Sequence, residues 1–147
     1  MNKKQKSLTN KGFSLVELII VIAIMAVLIG VLAPQYLKYV EKSRESADLS
    51  NYQEVISALQ VYASDSSNTT ALTAGTISFA KNTVPSPTTT NAITVLQSAN
   101  IVDMSKMKMK SAAYSDKVLS ITIVDGTPQF TIDDTTLAGE LGIGVTP

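Results

Sequence analysis

The 147-residue sequence contains no cysteine, no histidine and no tryptophan. Without cysteine there can be no disulfide, thiolate nucleophile, Cys-based metal site or lipid-modified Cys. Without histidine the commonest general base and metal ligand is missing. Ser–His and Cys–His chemistry are therefore excluded, and no catalytic residue, metal site or cofactor is expected. Acidic and basic side chains balance at 12 each, but the cations are unevenly placed. Lys3, Lys4, Lys6 and Lys11 precede Phe13 with no acidic residue among them. Residues 13–147 thus hold eight basic against 12 acidic side chains, a net charge of −4. Such a mildly acidic domain gives no reason to expect nucleic acid as its main partner.

What the chain does have is one long apolar run, "FSLVELIIVIAIMAVLIGVLA", from Phe13 to Ala33. As a helix it is about 30 Å long, the thickness of a bilayer's hydrocarbon core. Four lysines before it and none within it place the N-terminus in the cytoplasm and everything after Ala33 outside. "VLA" before Pro34 resembles a signal-peptide cleavage site, but the run exceeds the ~7–15 apolar residues of such a segment. A proline just past the scissile bond would also make a poor substrate. The run is expected to stay in the mature protein.

Glu17 is the anomaly in that run. An acidic residue costs about 2.5–3.5 kcal/mol at mid-helix on insertion scales. Its position about 6 Å along the axis from Phe13 brings it near the interface, which lowers the cost without abolishing it. Two readings stand: a protonated or snorkelling Glu in a plain signal anchor, or a carboxylate with a partner. No Lys or Arg lies between Phe13 and Lys38 to serve as that partner. Cleavage after Gly12 would supply one, because Phe13 would then carry a free α-amino group.

The segment "KGFSLVELIIVIAIMAVLIGVLAPQYLKYVEKSR" resembles the N-terminus of type IV prepilins and type II secretion pseudopilins. The shared pattern is a short basic leader, a Gly–Phe junction, a glutamate four residues past it and a proline late in the hydrophobic helix. Lys11, Gly12, Phe13, Glu17 and Pro34 match it, and the likeness covers roughly residues 11–44. It implies cleavage between Gly12 and Phe13 by an inner-membrane prepilin peptidase, followed by N-methylation of Phe13. It further implies that Glu17 contacts the Phe13 amine of a neighbouring subunit during filament assembly. The short leader and the Phe at the mature start are similar to the type IVa branch. Many proteobacterial pilins carry a C-terminal cysteine pair; its absence here leaves open how the C-terminal region is pinned, and leans toward a Gram-positive source or a pseudopilin.

Two further features fit assembly. Ala23, Ala26, Gly30 and Ala33 recur at three- and four-residue spacings, a small-residue seam that permits close helix approach; Ala and Gly are also simply common in membrane helices. Pro34 lacks an N–H, and its ring opposes the carbonyl of Gly30, itself a weak helix former. Gly30 and Pro34 are the expected weak point of the helix.

Beyond Pro34 the run of Lys38, Glu41, Lys42, Arg44, Glu45 and Asp48 reads as a solvated helical face, with Glu41–Arg44 and Lys42–Glu45 as opposed pairs. Leu49, Tyr52, Val55, Ile56, Leu59, Tyr62 and Ala63 form an amphipathic stripe suited to packing on a sheet, and the helix should end between Ser64 and Asn68. Residues 66–91 are rich in Ser, Thr, Asn and Pro, with a short strand expected at Thr76–Ala80. Asn68-Thr69-Thr70 and the Thr88–Thr90 cluster match glycan acceptors weakly, and an unmodified surface loop is favoured. Asn91 is a candidate N-cap for a short helix whose face carries Ile93, Val95 and Leu96.

In "SKMKMK", strand geometry would put Met107 and Met109 on one face and Lys106, Lys108 and Lys110 on the other. That is either a basic strip for a polyanion or an edge strand whose lysines discourage unwanted pairing, and the edge strand is favoured. The clearest β signal is "KVLSITIVDGTPQFTIDD", a hairpin in which Leu119, Ile121 and Ile123 face inward and "DGTP" makes the turn. Asp133 and Asp134 would point to opposite faces of a strand. "AGELGIGVTP" carries no chemical signal.

The expectation is an α+β, pilin-like fold: a long N-terminal helix packed on a small antiparallel sheet of three or four strands. Residues 1–12 form the cytoplasmic leader, 13–35 the transmembrane and filament-core half of the helix, 36–66 its amphipathic half, and 67–147 the globular part. The function implied by the resemblance is that of a structural pilus subunit, not an enzyme. The subunit would sit in the inner membrane before assembly and in an extracellular filament for adhesion, motility or DNA uptake afterwards. Its partners would be itself, prepilin peptidase, an inner-membrane assembly platform and the membrane. The alternatives are a secretion or competence pseudopilin and, in another class, a membrane-anchored binding domain that never polymerises.

Overall fold

The computed structural model describes residues 12–147. The elements run α1 (Leu15–Ser64), β1 (Gly75–Ser78), β2 (Ser86–Pro87), α2 (Ala92–Ser98), a 3₁₀ turn (Met104–Lys106), β3 (Val118–Val124), β4 (Thr127–Ile132), α3 (Thr135–Leu141) and β5 (Gly144–Val145). The chain divides into two compact units with the boundary between Lys38 and Tyr39, and α1 contributes to both.

In the first unit every described residue is exposed, and its apolar side chains show half or more of their surface. A helix this apolar with no buried face is long enough to cross a membrane. It is one unbroken helix through Gly30 and Pro34.

The second unit is built around the stripe expected from spacing. Tyr52, Val55, Ile56, Leu59 and Tyr62 are buried, while Leu49 and Ala63 are half-buried at its borders. They meet Ile77 of β1, Leu119 and Ile121 of β3, and Phe130 and Ile132 of β4 in a single apolar core. Each such side chain stabilises the fold by about 1.5–3 kcal/mol through removal from water. Tyr52 stacks obliquely on Phe79, with ring centroids 4.3 Å apart, and its hydroxyl donates to the Tyr114 carbonyl at 2.9 Å. Burial, and then the carboxylates of Asp133 and Asp48, push the Tyr52 phenol well above its ordinary pKa, so it remains a donor. The helix ends at Ser64, and Asn68 closes it by donating its side-chain amide to the Tyr62 carbonyl. That amide is thereby spent on the fold.

The fold class is α+β as expected, but the sheet is larger and not purely antiparallel. Five strands lie in the order β2-β1-β3-β4-β5. The β3–β4 hairpin forms as expected, but its turn is Asp125 and Gly126 alone: Val124 pairs with Thr127 and Ile123 with Pro128, both already in β4. Both turn residues have positive φ, 50° and 77°, the two-residue geometry that suits the twist of paired strands and favours Gly at its second position. The parallel strand β5 comes from the tail that carried no signal. Asp134 accepts the Leu137 N–H at 2.9 Å and so starts α3, which acts as a short crossover returning the chain alongside β4. This also shows how the C-terminal region is pinned without a disulfide. Leu137 and Ala138 are buried, Thr146 N–H bonds the Ile132 carbonyl at 3.0 Å, and the Tyr114 hydroxyl donates to Glu140 at 2.7 Å.

Three local expectations need correction. Asn91 stands at the N-cap position of α2 as expected, but its side chain does not cap: its oxygen accepts from the N–H and hydroxyl of Thr73 and its amide donates to Ala71, while Thr90 takes the Ala92 N–H. "SKMKMK" is not a strand, because Asp103 accepts the Ser105 N–H and winds Met104–Lys106 into a 3₁₀ turn, leaving one isolated bridge between Met109 and Lys81. The charged face of α1 is not simply solvated. Glu41 pairs with Arg44 at 3.4 Å as expected and also accepts the Ala112 N–H, whereas no ion pair joins Lys42 and Glu45 among the described residues. Asp48 is fully buried and accepts the N–H groups of Lys110 and Ser111 at 2.8–3.0 Å.

Candidate functional site

The candidate site lies at the start of α1. Lys11 and the rest of the expected leader fall outside the described residues. Gly12, Phe13 and Ser14 precede the helix in non-helical conformation, and Phe13 is 85% exposed. The Gly12–Phe13 peptide bond therefore stands outside the helical hydrogen-bond ladder.

Why the helix starts at Leu15 is visible in the sequence "SLVE". Ser14 occupies the N-cap position, and its hydroxyl accepts the Val16 N–H at 3.3 Å. Glu17, three residues on, reaches back to accept the Ser14 N–H at 2.8 Å. Ser-x-x-Glu ahead of an apolar run is a capping box, which satisfies amide donors that the first turn leaves unpaired. A carboxylate there also meets the positive end of the helix dipole, worth about 0.3–1 kcal/mol at an exposed site. Glu17 thus has a partner within the chain, one that counting lysines and arginines did not find. The Ser-x-x-Glu spacing was the signal that could have found it. One carboxylate oxygen is engaged by Ser14; the other makes no hydrogen bond among the described residues.

The structure brings Gly12, Phe13 and Glu17 together at this tip, where with Ser14 they line a shallow open concavity. Gly30 and Pro34 lie farther along α1, and a Cβ added at Gly30 would meet nothing within 4 Å. In the second unit a groove of about 470 Å³ runs between the end of α1 and the β4–β5 edge, lined by Gln60, Ser64, Gln129 and the glycines 126, 142 and 144. Its lining holds no ionisable side chain, so no acid–base pair converges there. Among the described residues no three carboxylates gather as a metal site.

The family model of the prokaryotic N-terminal methylation motif matches residues 8–33, spanning the junction, the capping box and the apolar run. The chain therefore carries a prepilin-like N-terminal methylation motif. That motif is characteristic of type IV pilins and pseudopilins, and the long N-terminal helix with a small mixed sheet is consistent with a pilin-like α+β fold. No curated protein and no solved structure matches the chain.

Proposed function

We propose that this prepilin-like protein is the structural subunit of a type IV pilus, assembled from the cytoplasmic membrane into an extracellular filament. The observation that carries the reading is the joint placement of an exposed Gly12–Phe13 bond and the Glu17 carboxylate at the tip of an apolar helix. Prepilin peptidase removes residues 1–12 and methylates the Phe13 amine. Glu17 then uses its free oxygen for the amine of a neighbouring subunit, which compensates a carboxylate held among apolar helices. The apolar half of α1 exchanges lipid for other copies of itself, and the second unit forms the filament surface. The assembly platform supplies the extraction step, and adhesion, motility or DNA uptake follow from the polymer. The lack of a cysteine pair supports a second reading, a pseudopilin of a secretion or competence system, which shares every step to the point of filament length.

The test is intact-mass analysis of the protein from surface-sheared filaments, together with a Glu17→Val variant. The expected mass lacks residues 1–12 and carries one N-methyl group. The variant should be inserted and cleaved normally yet give few or no filaments. Recovery of assembled material that retains Met1 or starts at Pro34, or a normal filament yield from Glu17→Val, defeats the reading.

A further inference from the structure

The apolar stretch of α1 is bounded at one end by Glu17 and at the other by Gln35, Tyr36, Leu37 and Lys38; no charged residue lies between Glu17 and Lys38. These four are consecutive residues of α1 within the first unit, and all are exposed, Tyr36 at 68% and Leu37 at 66%. Successive helical residues are turned by about 100° from one another, so the four side chains ring the whole helix.

The ring mixes apolar and polar groups in a way that selects its surroundings. Bulk water would meet two large apolar side chains on a helix that already has no buried face. A neighbouring protein surface would cover one side of the helix and leave the others wet. A layer of phospholipid head groups surrounds a helix on every side, apolar toward the acyl chains and charged toward the water. Tyrosine suits that layer, because its ring packs at the acyl boundary while its hydroxyl stays hydrated. Lys38 can lay its methylene stem along the helix and carry its ammonium to the phosphates. It enters no ion pair among the described residues.

Spacing fixes which layer this is. Tyr36 stands nineteen positions after Glu17 on an unbroken helix, about 28 Å along the axis. The hydrocarbon core of a bilayer is about 30 Å thick. When Tyr36 sits at one boundary of the hydrocarbon, Glu17 therefore sits at the other, on the side of the lysine-rich N-terminus.

We propose that Gln35, Tyr36, Leu37 and Lys38 form a collar for the phospholipid head groups on the membrane face away from the cytoplasm, and that this collar sets the depth at which the subunit waits. Held there, the helix keeps the Glu17 carboxylate and the Gly12–Phe13 bond at the opposite face, outside the hydrocarbon. The inference rests on the membrane-inserted stage of the proposed function and is independent of the filament.

The chain has no tryptophan, so a single replacement reports its own depth. The full chain is inserted into phosphatidylcholine–phosphatidylglycerol vesicles whose lipids carry bromines either near the head group or near the chain ends. Tyr36→Trp should be quenched more by the bromines near the head group. Val27→Trp, at an exposed position in mid-span, should be quenched more by those near the chain ends. In the Tyr36→Trp background, Lys38→Leu should shift the quenching toward the chain ends, and Lys38→Arg should leave it in place. An unquenched, water-like Tyr36→Trp beside a quenched Val27→Trp would mean that the ring stands clear of the membrane, and would overturn the collar. Quenching of both variants at the same depth, no shift with Lys38→Leu, or shielding at position 36 that grows with protein density, the mark of a second copy, would each overturn it too. If Val27→Trp is also unquenched, the helix does not insert, and the membrane reading falls together with the collar.

Discussion

Individual carboxylates in the second unit are held in their charged form by donors close in sequence or space. The Ala112 N–H lowers the pKa of Glu41, the Ser67 hydroxyl that of Asp65, the Ser105 hydroxyl that of Asp103, and the Leu137 N–H that of Asp134. A depressed folded-state pKa contributes stability that is present above the unfolded value and lost as pH falls through the folded one. Tyr114 behaves in the opposite sense. Donating to Glu140, and partial burial, push its phenol up to about 12, so its contribution is present below about pH 10 and lost as pH rises toward that value. Stability should therefore be level across neutral pH, fall below about pH 4 and fall again above about pH 10. Chemical denaturation of the processed chain in micelles across pH would show this. Asp134→Asn, which still caps α3 but cannot ionise, should reduce the acid-side loss. At neutral pH it forgoes that same charge-dependent stability, the stronger bond of a carboxylate to the Leu137 N–H and the partly buried Lys117 pair at 3.2 Å. An unaltered acid limb in that variant would show that Asp134 is not among the groups responsible.

The elements divide into those with a local signature and those fixed by a distant partner. The amphipathic half of α1 was legible because its three-and-four spacing survives as the buried face, and the β3–β4 hairpin because alternation and an Asp-Gly turn coincide. The α3–β5 return was not, since three glycines hid a cap at Asp134 whose start signal is a single residue. In the segment after α2 alternation correctly placed the methionines inside and the lysines outside. Which backbone carried them was decided by the Asp103 turn and by carboxylates 62–71 residues away in sequence. Asp48 and Glu41 hold three successive N–H groups, of Lys110, Ser111 and Ala112, and so fasten that segment to α1. At the candidate tip, the resemblance singled out the junction and Glu17, but the capping box that holds Glu17 was overlooked. Asp48→Ala would leave two inward-facing donors unpaired, at about 1–3 kcal/mol each. The expected outcome is a loss of at least about 2 kcal/mol in thermal melting, with Asp48→Asn less affected because it keeps one acceptor. Earlier amide exchange confined to residues 107–114 would locate the damage. A melting midpoint equal to that of the parent would mean that the segment finds other acceptors.

At the scale of the molecule and of the filament proposed for it, the decisive question is what the apolar helix does when its surroundings change. The structure shows α1 unbroken through Gly30 and Pro34 in the isolated chain. That continuity carries a penalty: a proline in a helix interior costs about 3 kcal/mol or more, and glycine about 1 relative to alanine. In a bilayer the alternative is worse, because backbone groups freed from the ladder find no partner in hydrocarbon. The helix is therefore expected to hold while the subunit waits in the membrane. In a filament, neighbouring helices can supply packing and partners, and the two weak residues no longer need to stay helical. Local unwinding between about Gly30 and Pro34 is the predicted result, with extended chain that lengthens under load. A filament map resolving side chains would show the i to i−4 ladder broken there. Gly30→Ala has open space for its new methyl group; combined with Pro34→Ala it should keep the segment helical and yield stiffer filaments. A continuous ladder in the polymer, with filament stiffness unchanged by the double substitution, would refute the unwinding and leave Pro34 as a tolerated kink.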